Sequence, residues 1–202
     1  MNLIILSGLL GSGKTSLILS LAHFIVENEE TAKSNLVIIE NEVGDIGIDD
    51  KVLKSGGFSV RELFAGCICC QLTSDLIITL NDIDEKINPK WVIIETTGLA
   101  YPGKILGNLN KYGKGIESIR TVTIVDAERF NELTDIIPVL VETQVSQGDT
   151  ILINKIDLVA ESELEYVENC VKKLNEKAIL YKVSATTKVN DYIWEGVTKT
   201  CE

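Results

Sequence analysis

Four short stretches of this chain hold residue types that do chemistry. The first is G-L-L-G-S-G-K-T at residues 8–15, a full match to the phosphate-loop pattern G-x-x-x-x-G-K-[ST]. Gly8, Gly11 and Gly13 let the backbone curl with its N–H groups turned inward. A helix opening directly after the loop adds the positive end of its dipole, so the cradle suits a polyphosphate. Lys14 is placed to reach the β- and γ-phosphates, and Thr15 to offer its hydroxyl to Mg²⁺. Ser12 and Ser16 belong to the same nucleotide-binding set.

The second stretch is N-K-I-D at 154–157, directly after the apolar run T-I-L-I. A carboxylate at Asp157 accepts from both the ring imino N–H and the exocyclic amino group of guanine. Adenine presents an acceptor at that ring nitrogen and lacks the 2-amino group, so ATP is expected to be rejected strongly. Lys155 can lay its stem over the base, and Asn154 can tie this loop to the phosphate loop. Ser184 and Ala185, at the end of the last apolar run, are expected to offer backbone N–H groups to the guanine carbonyl oxygen. Four residues alone are a weak signal. After a buried strand, downstream of a phosphate loop, they are a strong one.

The third signal is acidic. E-T-T-G at 95–98 follows the run W-V-I-I, and an acidic residue there is the expected holder of Mg²⁺, directly or through water. Gly98 would bring its backbone N–H to the γ-phosphate, so hydrolysis would move the loop behind it. Residues 40–49, E-N-E-V-G-D-I-G-I-D, read either as a solvated acidic loop or as a switch whose carboxylates meet Mg²⁺, its waters or another metal. Their place after a strand favours the switch.

The fourth stretch is C-I-C-C at 67–70. Cys69 and Cys70 fall at or near the start of a helix marked by Leu72, Leu76, Leu80, Ile83 and Ile87, where the dipole favours thiolate. Cys67, Cys69 and Cys70 suit a soft or borderline ion such as Zn²⁺ or Cu⁺, with Co²⁺ and Ni²⁺ as alternatives. A redox pair between Cys67 and Cys70 has the right spacing but no thioredoxin-like setting. Packing alone does not account for three cysteines in four residues.

These residues need a scaffold. Apolar runs at 2–7, 36–39, 91–94, 121–125, 150–153 and 178–183 read as buried strands, and amphipathic segments between them read as helices. Leu17, Leu21, Phe24 and Ile25 mark the first helix. Pro102 to Lys111 reads as another, and Pro138 breaks the helical stretch 131–147. Asp126 is expected to cap the helix that follows it. Ser162 to Glu165 reads as a capping box, and a last helix is expected from about Val189 to Lys199. The predicted fold is α/β, a P-loop NTPase with a mostly parallel sheet and helices on both faces.

The 202 residues fit one domain, and 45% hydrophobic content makes it globular. A net charge of −11 with no basic stripe disfavours nucleic acid and anionic membranes as partners. No apolar run is long enough to span a bilayer. The N-terminal run lacks a basic region ahead of it and leads straight into the phosphate loop, so it reads as a strand, and a cytoplasmic location is expected.

In order and content these stretches resemble the CobW-like family of P-loop GTPases, whose relatives include the urease and hydrogenase nickel-insertion GTPases. The resemblance covers nearly the whole chain, and the cysteine triplet between the two switch regions is its most specific feature. It implies GTP hydrolysis to GDP coupled to delivery of a metal ion, or of a metallocofactor, to a client metalloprotein or corrinoid protein. It implies catalytic roles for Lys14, Glu95 and Asp45. It implies Mg²⁺ on Thr15, Glu42 and Glu95, and the transferred Zn²⁺ (or Co²⁺ or Ni²⁺) on Cys67, Cys69, Cys70 and Glu40. A nucleotide-dependent homodimer is a further implied partner. Such proteins usually carry a second, C-terminal domain and often a histidine-rich loop. Residues 1–202 are expected to form a GTPase domain only, with His23 as the one histidine. The competing readings are a non-catalytic metal sensor or storage module, an activator of a corrinoid enzyme, and an ATP-using kinase, which residues 154–157 oppose.

Overall fold

The apolar runs become the strands of one sheet, buried on both faces except for the last: residues 179–182, expected as a buried strand, stand at an edge of the sheet and are exposed or half-buried. The computed structural model describes residues 1–28, 36–40, 59–62 and 71–199. In chain order these form β1 (Asn2–Gly8), α1 (Lys14–Asn28), β2 (Leu36–Glu40), β3 (Ser59–Glu62), α2 (Gln71–Lys86) and β4 (Trp91–Glu95). Then come α3 (Pro102–Tyr112), β5 (Ser118–Asp126), α4 (Phe130–Ile136), α5 (Pro138–Ser146) and β6 (Thr150–Asn154). A 3₁₀ turn (Ile156–Leu158), α6 (Glu161–Leu174), β7 (Ile179–Lys182) and α7 (Asp191–Thr198) complete them.

The seven strands run in the order β3-β2-β4-β1-β5-β6-β7, and every pairing is parallel. Alternate side chains of β1 serve opposite faces. Ile4 and Leu6 pack with Leu17 and Leu21 of α1 and Trp194 of α7. Leu3 and Ile5 pack with Leu76 and Leu80 of α2 and Leu109 of α3. Ile151 and Ile153 of β6 meet Val141 and Val145 of α5 and Val167 and Val171 of α6. The split follows from handedness. A crossover between parallel strands is right-handed, so the step from β1 out to β2 and the steps that run the other way must cover opposite faces. Each fully buried Leu or Ile contributes about 1.5–3 kcal/mol by leaving water.

The expected strands and helices are found, with three differences. β3 has no counterpart in the sequence reading: S-V-R-E holds one large apolar residue, too little for a periodic signal. Its place comes from pairing with β2, Val37 opposite Ser59 through Glu40 opposite Glu62. The predicted capping box at Ser162 is corrected. The N-cap of α6 is Ala160, whose N–H donates to Glu163 Oε2 at 3.0 Å. Alanine has no acceptor to return, so only half of the reciprocal pair forms. The last helix opens at Asp191, capped by Asn190 Oδ1, which accepts from the Tyr192 N–H at 3.3 Å. Pro138 stands in the first turn of α5, where its missing N–H costs nothing.

Candidate functional site

Open α/β sheets bind ligands outside the carboxyl ends of their strands, where the strand order reverses. Here the reversal is at β1. The phosphate loop leaves β1 there, flanked by the segments that leave β4 and β5. The first turn of α1 contains no acidic residue, so nothing in that turn neutralises the positive end of the helix. Lys14 is buried, with Nζ donating to Gly8 O at 3.1 Å and Leu9 O at 3.3 Å. The ammonium therefore lies folded against the glycine-rich loop itself.

Thr15 Oγ1 donates to Glu95 Oε1 at 3.4 Å. The hydroxyl comes from the start of α1 and the carboxylate from the end of β4. Thr96 Oγ1 donates to Leu6 O at 3.1 Å and ties the segment after β4 to β1. Gly98 then meets the phosphate loop backbone to backbone: a Cβ at this position would stand 2.7 Å from the Leu10 nitrogen. Only glycine permits that approach.

On the other side, Asn154 is buried at the end of β6. Its Nδ2 donates to Ser12 O at 2.8 Å, and its Oδ1 accepts the Ala185 N–H at 2.9 Å. Three segments distant in sequence are thus joined by one amide. The Asn154 amide occupies the space where a Cβ on Gly13 would lie, and Gly13 has φ +93°. Size and conformation both require glycine there. The Ala185 N–H, expected to face a guanine oxygen, is donated to Asn154 in this structure. The Ser184 hydroxyl pairs with that of Thr186 at 2.7 Å. Asp157 is exposed, in the 3₁₀ turn just beyond.

Asp126 departs from its expected role. It lies opposite Asn154 in the β5–β6 register, but the N-cap of α4 is Arg129, with no side-chain cap. The buried carboxylate of Asp126 accepts the backbone N–H of Arg129 at Oδ1, 3.3 Å, the local part of a cap, while its Oδ2 takes Lys155 Nζ at 2.8 Å and Arg129 Nε at 3.0 Å. Arg129 Nη2 also donates to Leu10 O at 2.6 Å. Lys155 reaches inward because its backbone is left-handed, φ 65°, a conformation that costs of order 1–3 kcal/mol outside glycine. One carboxylate thereby links the tip of the phosphate loop to the 154–157 loop. Asp126→Asn is expected to lower stability by about 1–3 kcal/mol through loss of these charge-assisted bonds. Its urea midpoint, compared with wild type, checks this.

Sequence reasoning missed Arg129 and Gln144. Gln144 Nε2 donates to Gly98 O at 3.1 Å and Ala100 O at 3.0 Å. Its signal was a lone polar residue on the apolar stripe of Leu140, Val141 and Val145. Glu40 closes β2; Ile39 pairs with Ile94, so the backbones of Glu40 and Glu95 follow side by side. Glu42, Asp45, Cys67, Cys69 and Cys70 lie outside the described residues. Among the described residues, no group of three or more His, Cys, Asp and Glu is placed to hold a metal ion. Among them, too, no helix is long and apolar enough to cross a membrane.

The model of the family described as CobW/HypB/UreG, nucleotide-binding domain, matches residues 2–182. The zinc chaperone CobW of a Sinorhizobium species is 32% identical over 195 residues, which cover 82% of this chain and 53% of the relative. The zinc chaperone YjiA of Escherichia coli (strain K12) is 30% identical over 192 residues, 89% of this chain and 56% of the relative. Among solved structures, a Zn(II)-bound triple mutant of YjiA GTPase superposes with a TM-score of 0.66 at 25% identity, covering 91% of this chain and 57% of that one. The chain spans about half the length of the curated relatives it matches. With a glycine-rich loop on β1, an acidic strand end on β4 and an asparagine bridge from β6, the chain belongs to the CobW/HypB/UreG family of nucleotide-binding domains.

Proposed function

We propose that this chain binds GTP with Mg²⁺, hydrolyses it slowly to GDP and phosphate, and uses that cycle to hold and hand over a transition-metal ion. The observation that carries the reading is the Asn154 side chain, bonded at one end to the phosphate loop and at the other to Ala185. It makes one site of the segments that meet phosphate and base. In that site the inward N–H groups of the loop and the start of α1 bind the phosphates, and Lys14 turns its ammonium onto the β- and γ-oxygens. Asp157 selects guanine. Gly98 meets the third phosphate through its N–H, and Asp45 orients the attacking water.

A hydroxyl and a carboxylate at 3.4 Å, Thr15 and Glu95, form an oxygen donor set that fits a hard divalent cation. Thr15 and Glu95, with Glu42, would hold Mg²⁺. When bound it neutralises charge shared by the β- and γ-phosphates.

The cargo is assigned to Cys67, Cys69 and Cys70 with Glu40, and zinc is its first candidate. Two facts support this: relatives named zinc chaperones are 30% and 32% identical, and three thiolates suit a borderline ion. Glu62 ends β3 opposite Glu40, and α2 opens at Gln71, the residue after Cys70. The client is a metalloprotein, met by this domain directly or through a further subunit.

The test measures zinc affinity by chelator competition with GDP, with a GTP analogue and without nucleotide, beside phosphate release from GTP. Wild type is expected to release phosphate, and its zinc affinity to differ at least fivefold between the two nucleotides. The triple variant Cys67→Ser, Cys69→Ser, Cys70→Ser is expected to keep GDP binding and lose tight zinc. Equal zinc affinity in all three states would remove the coupling, and a complete lack of phosphate release would leave a nucleotide-binding metal sensor.

A further inference from the structure

We infer that Gln144 is a positioning residue of the nucleotide cycle, the part that holds residues 98–100 where a third phosphate is read; this rests on the guanine-nucleotide reading above. The amide is buried, and both of its hydrogens are used, one on Gly98 O at 3.1 Å and one on Ala100 O at 3.0 Å. The segment it grips is a tight turn in which the Ala100 N–H donates to Thr97 O at 3.0 Å. Leu99, between the gripped residues, is exposed. A few residues on, the Gly103 N–H donates to Gln147 Oε1 at 2.7 Å. The connection from β4 to α3 is therefore held at two points by the C-terminal end of α5.

Gln144 is itself fixed from the far side. Its backbone oxygen accepts from Thr123 Oγ1 at 2.9 Å, and Thr123 Oγ1 lies 2.9 Å from Ser7 Oγ. Thr123 has one hydroxyl proton, and a carbonyl cannot donate, so Ser7 must donate to Thr123. The result is a buried hydrogen-bonded line: Ser7, Thr123, Gln144, then Gly98 and Ala100. It begins at the residue before the phosphate loop and ends at the segment that abuts Leu10 of that loop.

Such a line is not what packing asks for. Gln144 sits on the apolar stripe of α5 with Val141 and Val145, where a leucine or methionine fits the same pattern. A buried polar network whose donors are all paired holds the groups it joins in one arrangement. Here the arrangement fixed is the orientation of the peptides around Gly98. A nucleoside diphosphate has no third phosphate to meet the Gly98 N–H, so it is indifferent to Gln144. A nucleoside triphosphate is not. The residue therefore acts on the difference between the two ligands, without touching either.

The test compares Gln144→Met, which keeps length and loses both donors, with wild type. Affinities for GDP and for a non-hydrolysable GTP analogue are measured with Mg²⁺, alongside thermal unfolding. The analogue is expected to bind the variant about tenfold more weakly, while GDP stays within about twofold. A parallel loss for both ligands, or no loss for either, overturns the inference and leaves Gln144 a merely structural residue. Thr123→Val, isosteric and without the hydroxyl, is expected to shift the same ratio in the same direction by a smaller factor. It decides the matter if Gln144→Met does not fold. A wild-type protein that binds neither guanine nucleotide overturns the underlying reading, and this inference with it.

Discussion

Lys14→Ala is expected to lower kcat/KM for GTP by about 10²- to 10³-fold. The reason is positional. Among the groups at the loop, the Lys14 ammonium is the full positive charge carried by the first turn of α1, and it lies buried against Gly8 O and Leu9 O. In the proposed cycle a phosphate entering the cradle would replace those carbonyls as its partner, and charge growing on the β–γ bridge would be met without solvent reorganisation. Lys14→Arg is expected to fail nearly as badly, because a planar guanidinium fork does not fit the space of a point charge on a slender stem. The melting temperature of Lys14→Ala is expected to stay within a few degrees of wild type, since alanine is a strong helix former at the first position of α1. Steady-state phosphate release beside a thermal melt checks both. Hydrolysis within tenfold of wild type would show that the reaction does not use this loop.

The second large effect is expected at Asn154, and it is one of stability as well as binding. Asn154→Ala removes a donor to Ser12 O and an acceptor for the Ala185 N–H, both at good hydrogen-bond distance. Two polar groups at a buried junction lose their partners, at about 1–3 kcal/mol each. For a domain of this length the sum corresponds to a fall in Tm of about 4–24 °C. Asn154→Asp is not a rescue: a carboxylate can accept from Ala185 but turns an oxygen onto Ser12 O. The two variants are expected to melt close together, both well below wild type. Guanine nucleotide should raise the Tm of wild type only, by mass action on a site the variants cannot assemble. A melt of Asn154→Ala within 2 °C of wild type would mean that the junction is held by other groups.

How much of this was readable before any fold was known depends on the range of the interaction. Strand and helix placement is written in local periodicity, and Leu3 through Leu6, Val92 through Ile94 and Ile151 through Ile153 are buried on both faces as their unbroken apolar runs imply. Residues 8–15 are legible for the same reason: glycine spacing and a following helix are neighbours in the chain. β3 was not legible, since its four residues gain their strand form from a partner in β2. The role of Asp126 was legible only in its local half, the bond from the Arg129 N–H, because the second cation on its carboxylate comes from a left-handed lysine just past β6.

The sequence by itself determined the α/β scaffold, the glycine-rich turn at 8–15 and the N-K-I-D turn after β6, since each is encoded within a few consecutive residues. Only the tertiary structure decided which groups meet: Asn154 with Ser12 and Ala185, Arg129 with Leu10, and Gln144 with Gly98. These partners lie between 31 and 142 positions apart. No periodicity spans such a gap, and only the order of the strands brings them to one edge.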